Sequence, residues 1–193
     1  MVRAECNYCR TLRDVAITIN SILNPDIVPQ SIVESVAKAL GAKGCSLMTL
    51  TRERNALIHS ATCGLSESYL KKGPLSADKS ISEALNGKSV AIYDAATDER
   101  VQFRDEAKQE GIASVLCSPM ILREEVIGVI RVYTSEQRRF NLDDIYFVET
   151  VANLGAIALE NAHLYDSIKK DRDAFCKDML EWRAARWKPW MRM

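Results

Sequence analysis

The sequence predicts an α+β domain, with a central antiparallel sheet and helices at both ends of the chain. Three observations carry that expectation. Apolar residues before Leu40 recur at helical spacing, strand-like runs cluster in the middle of the chain, and a compact block from Ala113 to Ile168 joins the two patterns. In that block the runs ASVLCSPMIL and VIGVIRVYT flank the charged turn Arg123-Glu124-Glu125 and lead into one long amphipathic helix.

From Thr11 to Leu23, Leu12, Val15, Ala16, Ile19, Ile22 and Leu23 mark an amphipathic helix that stops at Asn24-Pro25. Residues 1–10 read as an N-terminal extension. A second helix is expected from about Asp26 to Leu40, burying Ile32, Val33, Val36, Ala37 and Leu40, with Gly41 as its C-terminal cap. Cys45 to Thr51 and Ala56 to Cys63 read as paired strands around a turn at Arg52 to Asn55. A mixed segment with Gly73-Pro74 and a short helical stretch, Ser80 to Asn86, precedes a brief strand from Ser89 to Tyr93. A charged loop then leads to a helix near Val101 to Gln109, ended by Gly111. No repeat and no low-complexity segment interrupts this order.

The final helix, from about Leu142, carries Phe147, Leu154, Asn161, Ile168, Phe175 and Trp182 at intervals of seven, with Val151, Ala158, Tyr165, Arg172 and Met179 as a companion row. Such a seam is the mark of helix pairing. About forty residues at roughly 1.5 Å each exceed the width of the domain, so the part up to about Ala162 is expected to pack on the sheet and the rest to meet a partner helix. Asn161 and Arg172 would weaken that pairing and fix its register. Trp182, Trp187 and Trp190, interleaved with Arg183, Arg186, Lys188 and Arg192, make residues 171–193 end in a basic, tryptophan-rich tail. A docking segment for a signalling protein or an anionic membrane surface competes there with a tail that folds back on its own helix.

With 193 residues the chain has room for one domain and short extensions. Its 26 basic and 26 acidic side chains cancel, which removes any global attraction to nucleic acid. Apolar residues form 47% of the chain and charged residues 27%, the balance of an ordinary globular protein. The first residues show no secretory signal and no run is long enough to span a membrane, so a cytoplasmic location is expected. In that reducing setting the even number of cysteines, six, does not imply disulfides.

Motifs for chemistry are sparse. Asn86-Gly87-Lys88-Ser89 ends like a phosphate-binding loop, yet Ser82 stands where the first glycine belongs and a strand follows, which excludes that reading. Cys6 and Cys9 have metal-ligand spacing without a second pair, leaving only a site shared across a dimer as an alternative. His59 and His163, the two histidines, lack a nearby activated nucleophile, so no catalytic residue is assigned and no cofactor is required.

The wording of the Ala113 to Ile168 block resembles the GAF domain family: a Ser-rich strand ending in Pro (Ser114 to Pro119), a hairpin, a Gly-Val-apolar strand core (Gly128 to Ile130), and a closing helix with Asn161 to Tyr165. The resemblance spans about residues 11–170. It implies terminal helices on one sheet face, loops and short helices over a ligand cavity on the other, and homodimerisation through the N- and C-terminal helices. Some GAF-like proteins are free methionine-R-sulfoxide reductases that use clustered cysteines, and Cys63 and Cys117 are similar in kind, but Ser114 is followed by Val115 where that group has a Ser-Glu pair. Asn86, Lys88, Phe103, Asp105 and Glu106 depart in spacing from cyclic-nucleotide-binding members.

Alternation along the second hairpin strand separates the apolar Gly128, Ile130 and Val132 from Val129, Arg131 and Tyr133. The second set is expected to face the cavity, joined by Ser114, Leu116 and Ser118, with Tyr93, Asp94 and Phe103 in the roof. Arg131 would take an anionic ligand, unless it pairs with an acid such as Glu99 or Glu106. The function this implies is small-molecule sensing without turnover. A dimerising scaffold that binds no ligand is the alternative.

Overall fold

Six strands form one sheet in the order β3-β2-β1-β6-β5-β4, with every adjacent pair antiparallel. The computed structural model describes residues 2–21, 27–51, 53, 56–76 and 82–186, leaving aside the side chains of 2–7, 20–21 and 184–186. The strands are β1 (Gly44–Leu50), β2 (Ala56–Cys63), β3 (Leu75–Ser76), β4 (Val90–Ile92), β5 (Ser114–Leu122) and β6 (Glu125–Thr134). The helices are α1 (Val2–Ser21), α2 (Val28–Leu40), α3 (Glu67–Leu70), α4 (Ser82–Leu85), α5 (Arg104–Gln109) and α6 (Leu142–Arg186). The expected α+β architecture is present.

Apolar faces sort the elements into two layers. Ile32, Val33 and Val36 of α2 and Phe147, Val148, Val151, Ala152 and Ala156 of α6 bury against Leu47, Leu116, Ile130 and Val132 of the sheet. Met48, Leu57, Ile92, Val115, Cys117, Val129 and Tyr133 point the other way, beneath Tyr69, Ala84 and Ala107 of the short helices. Each buried aliphatic or aromatic side chain contributes about 1.5–3 kcal/mol relative to exposure, so both faces matter to stability. Gly128 is needed where β6 crosses β1, since a Cβ there would stand 2.2 Å from the Met48 carbonyl oxygen.

The terminal helices meet at one buried carboxylate. Asp144, 2% exposed in the first turn of α6, accepts from the Tyr8 hydroxyl and from Arg138 Nη2 at 3.0 Å. The same guanidinium donates from Nη1 to the Leu40 carbonyl at 2.6 Å, and the Arg138 backbone N–H donates to Ser114 Oγ at 2.9 Å. Asn141 caps the helix by accepting from the Asp144 N–H at 2.8 Å. Tyr8 stacks on Phe147 with centroids 4.5 Å apart. Burial first, then the Asp144 hydrogen bond, pushes the Tyr8 phenol up to about 12.

Several boundaries differ from the sequence reading. The first helix begins at Val2 rather than Thr11, running through the stretch read as an extension. The hairpin turn has two residues, Arg123 and Glu124, both at positive φ (50° and 70°), and Glu125 belongs to β6. Strand β3 and helix α3 were not foreseen, because elements of two and four residues leave no periodicity to read. As expected, α6 packs on the sheet up to about Ala162, and from His163 to Arg183 every residue is exposed. The turn positions Arg52, Arg54 and Asn55, the stop at Asn24-Pro25, the Cys6 side chain and the tail from Trp187 lie outside what the structure describes. No helix among the described residues is long and apolar enough to cross a membrane.

Candidate ligand site

On the sheet face away from α1, α2 and α6, three nitrogen-bearing side chains converge. Alternation in β6 sends Val129, Arg131 and Tyr133 to this face, as the sequence predicts. Arg131 is 3% exposed, and its Nε has no hydrogen-bond partner. Pairing of Met48 with both Val129 and His59 places the His59 imidazole on the same face, where both of its ring nitrogens are buried without partners. Lys72, just after α3, folds inward with a buried, unpartnered ammonium 2.9 Å from the centroid of the Tyr69 ring.

Aromatic side chains pack around these groups. Tyr69 meets Tyr133 edge to face at 6.0 Å, Arg131 lies 5.6 Å from the Tyr133 ring, and Lys72 Nζ is 5.8 Å from the Phe103 ring. The Tyr133 hydroxyl is fixed by Ser46 Oγ at 3.0 Å. Outside Tyr69, a pocket of about 300 Å³ is lined by Ser66, Ser68, Glu106, Gln109 and Glu110 between α3 and α5. Glu110 ties the roof together, accepting from the Ser66 N–H and hydroxyl and pairing with Lys43 at 3.6 Å.

The electrostatics follow from crowding like charges in a dry place. Burial, then Lys72 and Arg131, lowers the His59 imidazole to about 4. Burial, then Arg131, lowers the Lys72 ammonium to about 7, against a smaller upward pull from Glu106 and Glu110. Among the described residues no carboxylate pairs with Arg131, so pairing with Glu99 or Glu106 is not what holds it. The Cys117 thiol, opposite Arg131 in the β5–β6 ladder, is pushed up to about 11 by burial. Burial also raises Cys45 and Cys63, so these thiols stay protonated and poorly nucleophilic.

Of the nine residues read as cavity-lining, the structure gathers Val129, Arg131, Tyr133 and Phe103 on this side. Ser114, Leu116 and Ser118 face the terminal helices instead. Leu116 belongs to the helix-side core opposite Val132; Ser118 accepts from Ser89, which also binds Glu149 of α6; and Ser114 is held by Tyr93 and Arg138. A β-bulge causes the inversion: Met120 pairs with Gly128 and Ile121 with Val126, so Ile127 is an extra residue that shifts every pairing beyond it by one. Tyr93 is 46% exposed with Arg139 over its ring, and the Asp94 carboxylate accepts from the Ala96 N–H in a local turn, so neither joins the cluster through these contacts. His59, Lys72 and Tyr69 are the residues that sequence reasoning missed. The parity of β2 could have pointed to His59, whereas nothing local marks Lys72 or Tyr69.

A six-stranded antiparallel sheet with the terminal helices on one face and short helices over the other is the architecture of GAF domains. The sequence pattern of the GAF domain family matches residues 24–161, and the chain belongs to that family. The chain is similar to the methyl sulfide methyltransferase-associated sensor of Methanosarcina acetivorans, 26% identical over 138 residues that cover 68% of this chain. It spans only 14% of that relative's length. In fold it is similar to the GAF domain of a phosphoenolpyruvate-protein phosphotransferase from Coxiella burnetii, with a TM-score of 0.75, 21% identity, and coverage of 84% of this chain and 98% of the other. The free methionine-R-sulfoxide reductase of Neisseria meningitidis shares the fold at a TM-score of 0.68 and 12% identity, covering 81% and 90% of the two chains.

Proposed function

We propose that this chain is a sensory GAF module that binds a small molecule between the sheet and the α3–α5 roof and reports occupancy through α1 and α6. The observation that carries this reading is the group of buried, unpartnered nitrogens of Arg131, Lys72 and His59 against Tyr69 and Tyr133. A core with only a structural task would fill such a place with apolar side chains. The likeness to a sensor in Methanosarcina acetivorans supports the same reading.

The output is proposed to be a change in helix packing within a homodimer. Exposed Tyr165, Ile168, Phe175 and Met179 continue the heptad rows of α6 beyond the sheet, which supports a second helix as their cover. The Asp144 hub ties α1, α2, β5 and α6 to one another, so a ligand that favours one setting of the sheet also favours one setting of the helices. Binding proceeds without turnover, in keeping with protonated thiols at Cys45, Cys63 and Cys117. A cytoplasmic location is part of the proposal, and the free thiols at Cys9, Cys45, Cys63, Cys117 and Cys176 suit a reducing compartment.

Thermal melting of the full chain against pooled metabolites tests this. A ligand at about one hundred times its Kd adds about 2.7 kcal/mol to stability and raises the midpoint. Absence of any shift across the pools would return the chain to a scaffold role. Turnover of free methionine sulfoxide, lost on substituting Cys63 or Cys117, would replace binding with catalysis.

A further inference from the structure

We infer that the ligand of this site carries an oxyanion, a carboxylate or phosphate group gripped by Arg131, Lys72 and His59 beside Tyr69. The inference rests on the pocket reading above and specifies its chemistry.

The composition of the cluster selects an anion. Its buried unpartnered atoms are all nitrogens of potentially cationic groups: Arg131 Nε, Lys72 Nζ and the two ring nitrogens of His59. Arg131 presents a planar fork suited to two oxygens, and Lys72 adds a mobile point charge. A cationic ligand would be repelled, and a neutral one would leave the guanidinium uncompensated in a dry site. An oxyanion supplies the acceptors that Arg131 Nε, Lys72 Nζ and the His59 ring lack among the described residues, and a negative charge beside Arg131, since Glu106 and Glu110 act on Lys72.

The placement of the three side chains suits the same ligand. Arg131 and His59 stand on separate strands of the rigid sheet, so their spacing is fixed before the ligand arrives. Lys72 lies at the edge of the roof, facing Tyr69, Arg131 and the acids Glu106 and Glu110 of α5.

Proton uptake follows from the same geometry. Without ligand, burial and the neighbouring cations hold Lys72 near 7 and His59 near 4, so around neutrality Lys72 is partly uncharged and His59 is neutral. An adjacent anion favours the charged form of both groups. The bound proton sits first on Lys72 Nζ, and affinity therefore falls as pH rises above about 7.

The test measures melting of the full chain with sodium phosphate, sodium succinate, or sodium chloride at matched ionic strength, at about pH 6 and about pH 9. Phosphate or succinate is expected to raise the midpoint beyond chloride, more at the lower pH, and the active arm identifies which oxyanion the site takes. Arg131→Met should abolish that shift while melting at or above the wild type without ligand, since it removes an uncompensated buried charge. Lys72→Met should keep part of the binding and lose its dependence on buffer ionisation enthalpy in calorimetry. The inference is overturned if neither oxyanion exceeds chloride, if Arg131→Met retains the shift, or if the variant melts far below the wild type, which would make the guanidinium structural. An uncharged metabolite that stabilises wild type and Arg131→Met equally would overturn the oxyanion while leaving the pocket reading intact.

Discussion

Lys72 shows how a single side chain acquires its properties from where it ends rather than from what it is. On an open surface its ammonium would ionise near 10.5, and burial beside Arg131 brings it to about 7. Folding therefore expels a proton between those values, and the unfolded chain binds more protons there, so this group adds stability as pH rises from about 7 toward 10.5. His59 behaves alike at lower pH: its contribution is present above 6.5 and is lost as pH falls toward about 4. Urea unfolding across that range should show a rising limb that Lys72→Met flattens on the alkaline side and His59→Gln flattens on the acid side. A limb unchanged in both variants would mean that neither group is desolvated. Val129, Arg131 and Tyr133 were legible in the sequence because strand alternation depends only on neighbouring residues. Lys72 was not, because its loop meets the sheet only through the paths of α3 and β3.

At the scale of elements, the β5–β6 hairpin and the Asp144 hub decide how the layers sit. The turn residues Arg123 and Glu124 occupy the left-handed region, which asparagine and glycine adopt more easily. Arg123 is largely exposed, and its pairing with Glu160 at 3.9 Å is too open to offset that strain. Replacing the pair with Asn-Gly should stabilise the chain by about 1 kcal/mol, read as a higher denaturant midpoint at unchanged slope. Asp144 is the opposite case. Asp144→Ala leaves Arg138 and Tyr8 without their acceptor and uncaps contacts at the start of α6, so a loss of about 3–5 kcal/mol is expected. A loss below about 1 kcal/mol in urea unfolding would show that the terminal helices do not depend on this carboxylate. Helix and strand identities were readable from periodicity, yet the face of β5 was not. One extra residue, Ile127, moves Leu116 from the cavity to the helices, and a bulge has no local signature.

For the whole molecule, the question is what lies against the distal half of α6. Its 45 residues extend roughly 68 Å, far beyond the sheet that covers its first half. In the proposed homodimer, truncation after Ala162 is expected to abolish self-association in sedimentation while leaving the melting of the domain close to its original value. Unchanged self-association would remove the distal seam as the cause. The sequence by itself determined the α+β class, the family, the amphipathic faces of α2 and the first half of α6, and the facing of Val129, Arg131 and Tyr133. All of these follow from residue periodicity and local motifs. Only the tertiary structure decided the phase of β5, the continuation of α1 to Val2, and the meeting of Arg131, His59 and Lys72. Strand pairing and layer packing bring residues distant in sequence into one volume, and that volume sets their burial and their charge.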